Sequence, residues 1–548
     1  MNTEKFVIGI DLGSLSGRII IASVNDGRIV ANHSKDYKHG IMTDTFIDGS
    51  RLGRDYNLTV PKDYLDVIGE LIPKAIKSAG IHKKDIIGIG VDATSYTMIT
   101  TDKIGKPLCE YEEFKYRPQA YGKLWKHLGA LEDSKLFTKL AIETNQPFMW
   151  RFGNSISGEW MAPKVMETFR KDREVFDRAT YFTDLSDWIV WMLTGNRIQN
   201  SGTAANKALW NEKDGYPSFD FLDVIDPALR QKMLASLESP IMPYGERAGY
   251  LKKQMADSLG LCENTPVAVG IIDAYAAFPP LGLGKPKEAL MVLGTSAAVC
   301  LLNDEPTKVE GMCGIAKNSM YPGLYGYDTG QNCVGDLIKW FLENMIPGEY
   351  EDAAKKQDMT IYDYLKEKAL IRKPWLNDLV ILDWWRGNRS ILCNLDLSGA
   401  ILGLRMNTLP EDIYTGIILG IACGTRTIID EFEKHGKLEK IVASGGISSK
   451  NPFFMQMYAN ILNRPIMASQ VSDTPALGAA IYAAVAAGKK NGGYQSLDEA
   501  KQYMQLKESN FITYYPEKEH EEDYERIYKK YSYYHDLVGR NPYIDDTL

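Results

Sequence analysis

No Cys-x-x-Cys pair occurs among the seven cysteines of this 548-residue chain, and their number is odd. Cys109, Cys262, Cys300, Cys313, Cys333, Cys393 and Cys423 are scattered, which argues against a disulfide framework or a zinc ribbon and predicts reduced, mostly buried thiols. The histidines form no His-Glu-x-x-His spacing, so a zinc hydrolase is not expected. Positive charge is not in excess: 63 Lys and Arg stand against 71 Asp and Glu, a net charge of -8. Without a basic face, neither nucleic acid nor a membrane surface is an expected partner. Long apolar runs are also lacking. The longest, residues 413–429 and 476–487, fall short of the roughly 20 residues a bilayer span needs and predict buried helices. Residues 1–5 lead straight into a strand-like run, with no room for a signal peptide, so a cytoplasmic protein is expected. The composition is unbiased and the length exceeds what one core serves, which predicts two or more domains.

The patterning that is present changes period along the chain. Residues 6–11, 18–24 and 28–33 read as three strands, the last two joined at Asn25-Asp26-Gly27, where Asp-Gly accepts the positive φ of a tight hairpin. Over 62–77 apolar residues recur at three- and four-residue spacing, which predicts an amphipathic helix with a kink at Pro73. Strand character returns at 86–93. Three antiparallel strands, a helix and another strand do not open a dinucleotide-binding βαβ fold; they open an actin-like one. Residues 110–250 read as helical and rich in aromatic and charged side chains, a pattern suited to a substrate pocket. A second start near residue 288 gives two strands, 288–296 and 297–303, around Gly294-Thr295-Ser296. This echo of residues 8–14 predicts two similar halves, 1–284 and 285–548. Buried or amphipathic helices are expected at 413–432 and 451–463, a strand at 441–444, and a helical, packing tail at 516–538.

Four segments carry groups suited to chemistry. In Ile8-Gly9-Ile10-Asp11-Leu12-Gly13-Ser14-Leu15-Ser16-Gly17-Arg18, a strand ends in a carboxylate and then a Gly-hydroxyl turn. Such a turn offers N–H groups to phosphate, and Asp11 suits Mg²⁺ held through water, although a plain hairpin uses the same residues. Gly294-Thr295-Ser296 is the same device in the second half, and two such turns facing one cleft favour a triphosphate site over the hairpin. The chain has no GxxxxGK[ST] loop. At Ser444-Gly445-Gly446-Ile447-Ser448-Ser449-Lys450-Asn451, paired glycines let backbone approach a flat ligand, while Asn451 serves equally as a helix cap. Asp273 closes an apolar strand, where a carboxylate is either a helix cap or the base that phosphoryl transfer to an alcohol requires.

These segments stand in the order found in the FGGY carbohydrate kinases and resemble that family's phosphate, catalytic-base and adenosine motifs. Further blocks resemble the ribulokinases within it: Gly88–Ser95 (GIGVDATS), Leu124-Trp125-Lys126-His127, Gly158-Glu159-Trp160 with Lys164, Lys207-Ala208-Leu209-Trp210, Gly326-Tyr327-Asp328-Thr329-Gly330-Gln331, Asp383–Arg389 (DWWRGNR) and Cys423-Gly424-Thr425-Arg426. The likeness spans about residues 6 to 490. It implies an α/β protein of two actin-like, ribonuclease H-like domains flanking a cleft, with ketose bound mainly by the first and ATP by the second. It implies ATP- and Mg²⁺-dependent phosphorylation of a ketopentose, L-ribulose first, with D-ribulose or xylulose as alternatives. A homodimer is expected. By resemblance Asp273 is the general base, Ser95, Lys207 and Asp328 meet the sugar, and Gly330 and Gln331 join Asp11, Gly13, Ser14, Ser16, Arg18, Gly294, Thr295, Ser296, Gly445, Gly446 and Asn451 at the nucleotide. By residue type alone Lys207 reads as a surface lysine. Two departures from the usual pattern, Asn206 in place of His and Asp328 in place of Glu, bear on which sugar is taken. An actin- or Hsp70-like ATPase switch is the reading from another class.

Overall fold

The alternation of the first forty residues folds into an antiparallel meander of Phe6–Leu12, Ser16–Ser23 and Ile29–Asp36. The computed structural model describes residues 4–541. Gly27 turns the second corner at φ 70°, its N–H donating to Ser23 O at 3.0 Å. The helix Pro61–Ala79 follows and buries Tyr64, Ile68, Leu71, Ile72 and Ala75 along one face. Pro73 does not interrupt it: the helix continues to Ala79 and stops at Gly80, which is left-handed at φ 64°. The buried stripe on both sides of Pro73 outweighs its one missing hydrogen bond. Strand Ile86–Ala93 then lies parallel to Phe6–Leu12, and Pro266–Ala268, Ile271–Ile272 and Arg247–Tyr250 complete the sheet.

The second half repeats this plan. Tyr325–Gln331, Ala297–Asn303 and Glu288–Leu293 are antiparallel neighbours; Lys440–Ser444 and Ile466–Ser469 follow in parallel, and Phe511–Tyr514 closes antiparallel. Gly314–Lys317, outside Tyr325–Gln331, is extra to that repeat, and Ile271–Ile272 of the first sheet has no counterpart in the second. Two sheets of one topology make the actin-like two-domain α/β fold.

Chain order and packing part company at the helix Thr474–Ala487, which lies on the first sheet although it comes from the second half. Its small residues are explained by the glycines beneath it. A Cβ at Gly9 would sit 2.0 Å from Ala476 O, one at Gly90 1.9 Å from Ala479 O, and one at Gly88 2.6 Å from Ala483 O. Residues between about 42 and 237 form a third apolar cluster around Phe137, Phe152, Trp160 and Phe176. Besides helices, it contains a four-stranded sheet of Leu58–Thr59, Gly122–Lys123, Met98–Thr101 and Tyr181–Asp184 that periodicity did not reveal, because two of its strands are two residues long. The helix Pro410–Glu433 is longer than its apolar run and by length and composition is long and apolar enough to cross a membrane, but 83% of its most apolar window is buried inside the protein. The tail helix Glu521–Gly539 buries Tyr524, Ile527, Tyr531 and His535.

Candidate active site

Three adjacent parallel strands end in carboxylates. Phe6–Leu12 and Ile86–Ala93 align Ile8, Gly9, Ile10 and Asp11 with Ile89, Gly90, Val91 and Asp92, and Ile271–Ile272 pairs with Asp92 and Ala93, leaving Asp273 just beyond. Asp92 is fully buried and neither of its oxygens has a hydrogen-bond partner of ordinary donor type. Burial raises the Asp11 carboxyl above its usual range, although its contact with Asp92 and the Arg18 charge oppose this. Asp92 is raised well above the usual range by burial and by the charges of Asp11 and Asp273. The pair is built to share one proton or a cation. Among the described residues no group of three or more His, Cys, Asp or Glu could hold a metal by itself. Mg²⁺, which takes oxygen ligands and keeps waters, needs only one or two carboxylates, so Asp11 and Asp92 fit it.

Asp273 begins the short helix Asp273–Ala276 and accepts the Ala274 N–H at 2.6 Å. Burial pushes its carboxyl up to about 7; the Ala274 N–H opposes this, and the charges of Asp11 and Asp184 add to it. A carboxylate poised near neutrality is matched to accepting a hydroxyl proton. It lines a cavity of about 280 Å³ together with Ser95, Lys207, Asp328 and Arg389, and across from it Thr295 and Ser296. Lys207 is not at the surface: it is 5% exposed, and its Nζ donates to Asp328 Oδ2 at 2.6 Å. Arg389 Nη2 lies 3.3 Å from both Asp328 oxygens. Burial would raise the Asp328 carboxyl, but Lys207 and Arg389 together hold it below its usual range. Asn206 donates to Tyr275 OH at 3.0 Å. Ser95 Oγ is buried and makes no hydrogen bond within the protein, as suits a ligand-facing hydroxyl.

The two Gly-hydroxyl turns close alike: Gly13 N–H donates to Ser16 O at 3.1 Å and Gly294 N–H to Ser296 O at 3.0 Å. Ser14 Oγ accepts from Trp125 Nε1 at 2.9 Å, tying the first turn to the pocket lobe. Arg18, opposite Asp11 in register, forms an ion pair with Asp473 at the start of the helix Thr474–Ala487. Gly445 and Gly446 follow Ser444, which pairs with Val292, so they reach the same edge as Gly294. Gly445 has φ 104°, and a Cβ there would meet Leu293 O at 2.5 Å, whereas one at Gly446 would meet nothing within 4 Å. Asn451 caps the helix Pro452–Leu462 by accepting the Phe454 N–H at 3.0 Å. Gln331 faces inward: its Nε2 donates to Asp383 and Ile421 O, and its Oε1 accepts from Thr425. Gly330 lies against Ala297, where a Cβ would come within 2.1 Å of the carbonyl. Both therefore pack behind the second turn.

Sequence reasoning singled out neither Asp92, Arg389 nor Lys164 as site residues. For Asp92 the signal was available, since Ile89-Gly90-Val91-Asp92 repeats Ile8-Gly9-Ile10-Asp11. Arg389 and Lys164 stand in blocks that resemble the ribulokinases, but only folding brings Arg389 to the pocket and Lys164 beneath it. Lys164, fully buried, donates to Tyr96 O at 2.9 Å and Leu124 O at 3.0 Å, holding the neighbours of Ser95 and Trp125 in place. Burial drops its ammonium to about 7.

Comparison with known proteins agrees with this fold. The model of the FGGY carbohydrate kinase N-terminal domain matches residues 6–278, and that of the C-terminal domain residues 289–487. The chain belongs to the FGGY family of carbohydrate kinases. It is 39% identical over 540 residues to a ribulokinase of Geobacillus thermodenitrificans, covering 98% of this chain and 95% of the relative. Solved structures share the fold at lower identity. A gluconate kinase from Lactobacillus acidophilus superposes with a TM-score of 0.79 at 20% identity, covering 98% of this chain and 99% of that one. A xylulose kinase from the same organism gives 0.78 at 20% identity over 97% and 98%.

Proposed function

We propose that the chain transfers the γ-phosphoryl group of ATP to the terminal hydroxyl of a ketopentose, with L-ribulose the sugar and L-ribulose 5-phosphate and ADP the products. The observation that carries this is a single cavity holding Asp273 and the Lys207–Asp328 pair against the second Gly-hydroxyl turn. Near-full-length similarity to a ribulokinase favours the pentulose among the family's sugars. Asp273 accepts the hydroxyl proton as the sugar oxygen attacks the γ-phosphorus and ADP departs. Lys207 donates to sugar oxygens and Asp328 accepts from sugar hydroxyls. The turns at Gly13–Ser16 (GSLS) and Gly294–Ser296 (GTS) cradle the phosphates, and Gly445 and Gly446 leave room for adenosine. Asp11 and Asp92 would hold Mg²⁺, which would supply charge neutralisation on the phosphoryl oxygens.

Lys207 belongs to the first half and Asp328 to the second, so a bound ketose would bridge the halves. Closure of the cleft would then complete the site and exclude water, limiting ATP hydrolysis. Small-angle scattering should show compaction with ketose and a non-hydrolysable ATP analogue together; unchanged dimensions at saturation count against it. A screen of pentuloses, pentoses and polyols with ADP as readout tests the reaction. L-ribulose should give the highest kcat/KM. Preference for D-ribulose or xylulose would reassign the sugar, and ATP turnover that no sugar stimulates would point to a nucleotide switch.

A further inference from the structure

Cysteines eighty residues apart in sequence face one cavity at the cleft. Cys313 and Cys393 line one cavity of about 420 Å³, which also reaches Trp125, Thr295 and Arg389. Their segments clasp each other. Cys313 Sγ lies 3.2 Å from Arg389 O and 3.3 Å from Ser390 Oγ, and Cys393 Sγ 3.5 Å from Gly311 O. Both are free thiols. Phosphoryl transfer uses neither. We propose that Cys313 and Cys393 form a reversible dithiol–disulfide site, oxidised by low-molecular-weight disulfides, that weakens ketose binding when closed.

The thiols are unlike, which suits exchange. A hydrogen bond from the Cys393 thiol, with the nearby Arg389 charge, lowers Cys313 to about 6 against the opposing effect of burial; Cys393 is raised. Cys313 is thus the thiolate at neutral pH. It attacks one sulfur of the incoming disulfide, forming a mixed disulfide and expelling one thiolate, which takes up a proton. Cys393 then loses its proton to solvent and attacks the Cys313 sulfur, and the second thiolate departs and is protonated. Two protein thiols are oxidised, and one small disulfide is reduced to two thiols. Closing the bond pulls on the loop that carries both Arg389 and Cys393, whose Arg389 carbonyl lies 3.2 Å from the Cys313 sulfur. Arg389 is the second cation on Asp328, so a shift of its backbone disturbs the carboxylate that faces the sugar. This consequence rests on the sugar-facing role proposed above for Asp328.

The test exposes the full-length enzyme to glutathione disulfide and then to dithiothreitol, following peptide masses and kinetics in parallel. The expected result is a Cys313–Cys393 cross-linked peptide short of two hydrogens. KM for the pentulose should rise roughly tenfold, the scale of one weakened charge-assisted hydrogen bond. KM for ATP should stay put, reduction should restore both, and Cys393→Ser should not respond. Failure to cross-link, a glutathione adduct left on Cys313, a cross-link with unchanged pentulose KM, or an equal response in Cys393→Ser would each overturn the proposal. If Cys393→Ser does not fold, the mass and kinetic series on the unaltered enzyme decides. Asp328→Asn, assayed reduced, tests the sugar-facing role separately, since an unchanged pentulose KM there removes that role while leaving cross-link formation to be read by mass.

Discussion

Replacing Asp273 by Asn separates two consequences of one raised carboxyl. Asn keeps the size and still accepts the Ala274 N–H that Asp273 accepts at 2.6 Å, but it cannot take a proton. Turnover should fall by ~10²-fold or more, the usual contribution of a general base. The same group also costs stability. Its carboxyl titrates near 3.8 in the unfolded chain and at about 7 in the fold, so the folded state binds the proton more tightly. Stability from this group is fully present below the unfolded value and is lost as pH rises through about 7. The shift is worth ~4 kcal/mol at ~1.4 kcal/mol per pK unit, an upper bound because the carboxyl faces an open cleft. Measured by urea unfolding, the Asn variant should gain on the wild type by about 1–2 kcal/mol between pH 5 and pH 8. Meanwhile kcat/KM of the wild type should rise with pH through about 7, as the base becomes free. Activity and stability thus run in opposite directions with pH. Parallel unfolding curves for the two proteins would refute the raised carboxyl, and near-normal turnover of a folded variant would remove Asp273 from the chemistry.

Gly446→Val places its side chain where nothing lies within 4 Å, so the protein should fold normally while ATP binding, measured by calorimetry, weakens; normal ATP affinity would put adenosine elsewhere. Lys207→Met leaves buried Asp328 with Arg389 as its remaining cation. Its KM for the pentulose should rise by one or two decades with KM for ATP nearly constant, and stability should fall by about 3 kcal/mol, the scale for breaking a buried pair. Unaltered sugar kinetics would remove Lys207 from the sugar site. Gly90→Ala drives a methyl to 1.9 Å from Ala479 O and should cost roughly 1–3 kcal/mol, seen as a lower Tm. An unchanged Tm would mean the helix above it yields freely.

Much of the frame was legible in local pattern. The meander of residues 6–36, the hairpin at Gly27, the helix over Pro61–Ala79 and the second start at Glu288 follow from period, turn chemistry and self-similarity, all short-range properties of the chain. The Gly-hydroxyl turns and Asp273 were visible for the same reason: each is a strand end whose chemistry is written in consecutive residues. The two-residue strands of the pocket lobe left no periodic signal.

The sequence by itself determined the doubled fold, the family and the positions of the Gly-hydroxyl turns. It did not determine partnership. That Lys207 is buried and held by Asp328, 121 residues away and from the other half, and that Arg389, 61 residues beyond Asp328, joins them, depends on packing between distant parts of the chain. That Cys313 and Cys393 line one cavity is settled the same way. The helix Thr474–Ala487 makes the point from the other side. Its small residues read as a buried helix, but only the fold shows that Gly9, Gly88 and Gly90 of the opposite half lie beneath it. Local preferences act over one turn or one strand, whereas burial, charge pairing and the shifted carboxyls at Asp11, Asp92 and Asp273 arise from neighbours that only tertiary structure supplies.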